Sequence, residues 1–163
     1  MSKLIGDAGE VLAADLLGQR GYQVELIGGN YPVVDLIVRG KPEFRVSVKT
    51  SRTKYHVRLG RDTSLAQLRD NDFVFALLPT VPNGEIGFAP GKFRTLILPG
   101  RMVREDGLAI HNAYLQGKLK NGGTPSGSAG VMVKGYSRKP IHQQTWSKWM
   151  TFEDRWDLLP SCN

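Results

Sequence analysis

The sequence predicts an α/β fold with elements in the order α-β-β-β-α-β. Three observations predict it: a helical apolar repeat at the N-terminus, three strand-like runs divided by tight turns, and a strand-helix-strand passage after them. From Leu4 to Leu17, Ile5, Ala8, Leu12, Ala13, Leu16 and Leu17 recur at helical spacing, and Gly18 to Gly21 supplies a stop. Strand-like runs follow at Tyr22–Ile27, Val33–Arg39 and Phe44–Thr50, separated by Gly28-Gly29-Asn30-Tyr31-Pro32 and Gly40-Lys41-Pro42. Connections this short favour an antiparallel meander. A basic, polar segment leads to a short helix over Ser64–Asp70, with Ser64 as its N-cap, and then to a buried strand over Asp72–Leu78. A right-handed crossover makes that last strand parallel to its neighbour, so the central sheet is mixed.

Beyond Pro79 the pattern weakens. Glu85–Pro90 reads as a strand, and Phe93–Leu98 as either helix or strand. Residues 121–130, rich in Gly and Ser, read as a flexible loop because they offer nothing to bury. Val131–Lys134 and a helix near Ile141–Met150 return to the core, with Phe152, Trp156 and Leu158 packing the chain end. The 163 residues suit one domain, with a core over 1–80 and a C-terminal elaboration over 81–163.

Composition excludes several classes. Hydrophobic content of 40% and charged content of 23% are those of a soluble globular chain, no secretory h-region follows Met1-Ser2-Lys3, and no apolar run approaches a membrane span. A cytoplasmic location is expected. The single cysteine, Cys162, rules out a disulfide framework and a cysteine zinc site. His56, His111 and His142 lack metal-ligand spacing, and no phosphate-cradling glycine motif with a following Lys-Ser or Lys-Thr occurs. Trp146, Trp149 and Trp156 are read first as core residues, and Gln67 first as a surface residue.

Net charge is +7, and it is clustered. Nine basic residues lie between Arg39 and Arg69 against two carboxylates, Glu43 and Asp62, while Gly107 to Phe152 holds six basic residues and no carboxylate. Such clustering is the footprint of a phosphate-backbone partner, or else a plain solvated face.

Alternation in Phe44–Thr50 puts Ser47 and Lys49 on one face of a strand. Asp35 interrupts a run of Val, Leu and Ile on the neighbouring strand, where an unpaired carboxylate is costly, so it needs a partner or a metal. Glu10 lies on the helix before them. A metal-dependent phosphodiesterase uses such groups; the plainer readings are a solvent-facing Glu10 and a structural Asp35–Lys49 ion pair.

With Gly9-Glu10, Tyr31-Pro32-Val33-Val34-Asp35, and Ser47-Val48-Lys49 twelve residues after the aspartate, the first 80 or so residues resemble the PD-(D/E)XK nuclease superfamily. The likeness is to its restriction-endonuclease-like and Holliday-junction-resolvase-like branches, whose core has the same αβββαβ order. One position departs from the pattern: Ser47 stands where the superfamily places Glu, Asp or Gln. The resemblance implies a Mg²⁺-dependent endonuclease acting on DNA, with Mn²⁺ as a substitute, and a homodimer. It implies Asp35, Glu10 and the Val48 carbonyl as metal ligands, Lys49 orienting or deprotonating the attacking water, and Ser47 at the fourth site position. Arg52, Lys54 and Arg58, just beyond the Lys49 strand, are the expected grip on the phosphate backbone. The alternative is a catalytically inactive module of the same fold that binds nucleic acid or a protein partner.

Overall fold

The computed structural model describes residues 3–27, 33–80, 92–123 and 130–163. Helix α1 (Lys3–Gln19) leads into strands β1 (Gln23–Leu26), β2 (Leu36–Arg39), β3 (Phe44–Thr50) and β4 (His56–Gly60). After these come α2 (Asp62–Leu65), β5 (Phe73–Pro79), β6 (Phe93–Pro99), α3 (Gly100–Lys120), β7 (Val131–Lys134) and α4 (Pro140–Met150). Five strands form a mixed sheet in the order β1-β2-β3-β5-β6, in which β3 and β5 are parallel and the other pairs antiparallel. The expected meander and parallel pairing are present, with strand β4 added to the connection between β3 and β5.

Strand alternation divides the apolar side chains between two layers. Phe44, Val46 and Val48 of β3 join Phe75 and Leu77 of β5 beneath Ala13 and Leu17 of α1. On the other face, Val74, Ala76 and Leu78 of β5 pack with Val103 and Ile110 of α3, Trp149 of α4, and Val57, Leu59, Val131 and Val133. Those last four come from β4 and β7, which form a separate two-stranded antiparallel ribbon lying over that face.

Several sequence readings are corrected. The polar segment after Thr50 contains strand β4. Helix α2 runs Asp62–Leu65, preceded by Arg61 with no side-chain cap, so Ser64 sits within the helix rather than capping it. Phe93–Pro99 is a strand, and the long helix α3 after it was not anticipated. The inward stripe of α3 is Gly100, Val103, Gly107 and Ile110, at helical spacing but half glycine, so it leaves little hydrophobic signal. At the chain end Leu159, not Leu158, is the buried leucine. Trp149 is fully buried and donates Nε1–H to Asp106 at 2.8 Å, while Trp146 and Trp156 pack partly buried against the two clusters. The strand read at Glu85–Pro90 and most of the 121–130 loop lie outside the described residues. Among the described residues no helix is long and apolar enough to cross a membrane.

Candidate active site

Asp35 sits one residue before β2. Its backbone N–H bonds the Val46 carbonyl at 2.8 Å, and its carboxylate accepts the Val48 N–H at 2.6 Å. A side chain thus takes a donor that backbone would take in a longer ladder, and this fixes Asp35 against the middle of β3. The β2–β3 register, with Leu36 opposite Val46, places it there.

Helix α1 delivers Glu10 to the same place. The approach depends on the preceding residue, because a β-carbon at Gly9 would overlap Thr50 Oγ1 at the end of β3. With only hydrogen there, the helix lies close on the strand, and Glu10 reaches the Asp35 carboxyl and hydrogen-bonds it. Lys49 lies on the same strand as Val48 and couples electrostatically to both acids.

The charges in this cluster are strained by burial. Glu10 is pushed up to about 7, first by desolvation, then by the negative charges of Asp35 and Asp7, with Lys49 pulling the other way. Burial also raises Asp35, against the Val48 N–H and the Lys49 charge, which favour its ionised form. Lys49 is lowered by burial, although both carboxylates oppose the shift. Protonated Glu10 bridging to the Asp35 carboxylate is the arrangement these shifts describe, and a bound divalent cation would replace that shared proton. Two adjoining carboxylates are hard oxygen donors suited to Mg²⁺ or Mn²⁺. Among the described residues no three of His, Cys, Asp or Glu come together as a fuller metal site.

The other expected site residues are distributed unevenly. Ser47 is 1% exposed, and its Oγ has no hydrogen-bond partner among the described residues. It lines a cavity of about 30 Å³, shared with Lys49, Ser64 and apolar residues from α2, α3 and the sheet. That volume suits about one water molecule, with Ser47, Ser64 and Lys49 as its polar partners. Arg52 and Arg58 line a second, open cavity of about 230 Å³ together with Thr50, Ser51, Thr53 and His56. It begins one residue beyond Lys49. Lys54 does not line that cavity; its Nζ lies over the Tyr55 ring, 5.3 Å from the centroid. Gln67 is exposed and donates to the Thr63 carbonyl at 3.3 Å.

Sequence reading missed two members of this region. Ser64, expected as a cap, instead lines the small cavity with Ser47 and Lys49, which no local pattern signals. His56 was set aside for want of metal-ligand spacing. The alternation of His56-Val57-Arg58-Leu59 was nonetheless legible as a strand that would turn His56 and Arg58 to one side.

No family model matches the chain, and no curated protein matches it. Among solved structures, a bacterial homing endonuclease matches with a TM-score of 0.52 and 16% identity, over 96% of this chain and 91% of that one. The Holliday junction resolvase of the hyperthermophilic archaeon Archaeoglobus fulgidus matches with a TM-score of 0.44 and 18% identity, over 60% of this chain and 74% of its own. The likeness to the homing endonuclease, which spans nearly the whole of both chains, shows that the two share a fold.

Proposed function

We propose that this protein is a Mg²⁺-dependent endonuclease that hydrolyses DNA phosphodiester bonds at the Glu10–Asp35–Lys49 cluster. The observation that carries the reading is the convergence of these three groups, from α1, the residue before β2, and β3, with burial shifting all three toward their neutral forms. Asp35, Glu10 and the Val48 carbonyl would hold the metal, which when bound supplies positive charge at the scissile phosphate. Asp35 is oriented for this by the Val48 N–H. Glu10 must first release the proton it shares with Asp35. Lys49, its affinity for a proton weakened by burial, either holds the attacking water by an N–H donor or accepts its proton. Arg52 and Arg58, beside the next cavity, would meet the DNA flanking the cleaved bond. Two strands of a duplex present two phosphates, and a homodimer would bring one centre to each.

A second reading is a nuclease-fold module that binds nucleic acid or protein without cutting. Ser47, buried with no hydrogen-bond partner among the described residues where the PD-(D/E)XK pattern has a carboxylate or amide, favours it. Cleavage of supercoiled plasmid and of a four-way junction in Mg²⁺ or Mn²⁺ separates the two. Nicked or cut product from the wild type, absent with Asp35→Asn and Lys49→Ala, is expected. Equal gel retardation by all three proteins with no product under either metal would leave only the second reading.

A further inference from the structure

The two stretches that hold the basic excess, far apart in sequence, meet in one element. Strand β4 comes from the first and β7 from the second, and the ribbon they form pairs His56 with Lys134, Val57 with Val133, and Arg58 with Met132. Directly opposed residues share a face, so Val57, Val133 and their neighbours turn into the core while His56, Arg58, Met132 and Lys134 form the outward face. Arg58 is exposed and the other three are half-buried. Neither strand contains a carboxylate.

Arg39, Arg45, Arg94, Arg101, Arg104 and Arg155 each pair with an Asp or Glu. Among the described residues neither Arg58 nor Lys134 enters an ion pair. Their combined field is felt at His56, where both help burial depress the imidazole's affinity for a proton. The ribbon also has a local irregularity: pairing shifts between Arg58 and Gly60, with Gly60 at a φ of +82°, so Leu59 is an extra residue that increases the twist. His56 and Arg58 also line the open cavity of Thr50, Ser51 and Arg52, residues that follow Lys49 directly in the chain.

Resting on the nuclease reading above, we propose that the outward face of the β4–β7 ribbon enters the major groove of duplex DNA and reads base edges there, with Arg58 as its principal reader. A two-stranded ribbon fits the roughly 12 Å width of that groove, whereas the deep, narrow groove of duplex RNA does not admit it. Arg58 carries a planar fork that matches guanine O6 and N7. Met132, directly opposite, offers an apolar surface to a thymine methyl, and Lys134 and His56 complete the face toward the adjoining base or phosphate.

The test uses the full chain in EDTA, so that cleavage plays no part. Duplexes with a randomised 20-base-pair centre are selected by binding, and the selected duplex is then footprinted with dimethyl sulfate, which methylates guanine N7 in the major groove. The wild type is expected to enrich a guanine-containing site and to protect its N7. Arg58→Ala and Arg58→Lys are expected to lose that protection and to bind the selected duplex about ten- to a hundredfold more weakly. Binding to unselected duplex should fall only about threefold for Arg58→Ala and hardly at all for Arg58→Lys. Met132→Ala should relax the preference at the neighbouring base. Arg58 is exposed, so its variants should melt with the wild type.

Three results would overturn the proposal: no sequence enriched, Arg58→Ala binding the selected site as tightly as the wild type, or duplex RNA bound in preference to DNA. Sequence-selective binding by a protein that cuts nothing in Mg²⁺ or Mn²⁺ would remove the nuclease reading and leave the ribbon's role supported. Metal-dependent cleavage with selection unchanged in Arg58→Ala would do the reverse.

Discussion

Strand β3 carries two cations on one face, Arg45 and Lys49, and their surroundings differ. Arg45 meets Asp72, which is 3% exposed, through two parallel bonds of 2.8 and 2.6 Å, and Asp72 also accepts the Arg69 N–H at 2.8 Å. That arrangement is saturated: a bidentate fork and a backbone donor around one carboxylate. Lys49, four residues on, faces two carboxylates that share a proton, in a place where burial weakens the ionised form of every member. Buried charge held for structure is matched donor for acceptor, whereas charge held for chemistry is left with something still to bind. The difference is testable, because removing an acid should have opposite consequences in the two places.

The largest expected effect is at the site. Asp35→Asn keeps an acceptor for the Val48 N–H and removes the negative charge that repels an ionised Glu10. It should therefore leave the denaturation midpoint unchanged or raise it by less than about 1 kcal/mol of stability. Metal-dependent cleavage of plasmid should fall about a thousandfold. If Asp35→Asn unfolds the protein, the Asp35–Lys49 contact is a structural pair after all.

Asp72→Ala is the matching experiment on the saturated pair. It removes the carboxylate that holds the Arg45 guanidinium bidentately and accepts the Arg69 N–H, and should cost about 3 kcal/mol in urea denaturation. A loss below about 1 kcal/mol would erase the contrast between the two ends of β3.

Gly9→Ala should cost about 1–3 kcal/mol, because the added methyl must displace Thr50 or lift α1 from the strand. Lifting α1 also withdraws Glu10, so activity should fall further than the stability loss explains. Combining it with Thr50→Ala, which removes the hydroxyl that is hit, should recover part of both losses; simple additivity in the double-mutant cycle would break the steric account.

How much of this could be read beforehand follows from which information is local. Asp35 announced itself by interrupting an apolar run, and Ser47 and Lys49 shared a face by simple alternation. Helix α1 and strands β1 to β3 rested on periodicity that packing did not override, and the expected helix and strand follow them only after the unexpected β4. Cross-strand register was not legible: Asp35 lies just before β2 and captures the Val48 N–H, where the sequence suggested a strand running through it. Helix α3 was hidden because glycines occupy half of its buried stripe. The ribbon was hidden for a different reason, since β4 and β7 are short and pair across more than seventy residues, and no local pattern encodes such a partner. The two carboxylate-poor stretches were visible from the start, but only the fold showed that they lie side by side.

The smallest effect expected is a pH dependence that distinguishes the two acids without any metal. Glu10 is raised from 4.5 to about 7 in the folded chain, so between those values the native state holds a proton that the unfolded chain has released. Stability from this group is complete below about 4.5 and is lost as pH rises through about 7. Asp35 is shifted in the same direction and adds to that slope, whereas Lys49, being lowered, acts oppositely. Urea midpoints in EDTA should therefore decline from pH 4.5 to 7 with a slope of less than one proton, because Glu10 is partly solvated. Glu10→Gln should flatten most of that decline. Glu153, held low by Arg94, gives the opposing control: Glu153→Gln should remove stability that the wild type loses only as pH falls below 4.5. A Glu10→Gln profile indistinguishable from wild type would mean that the two carboxyls do not share a proton.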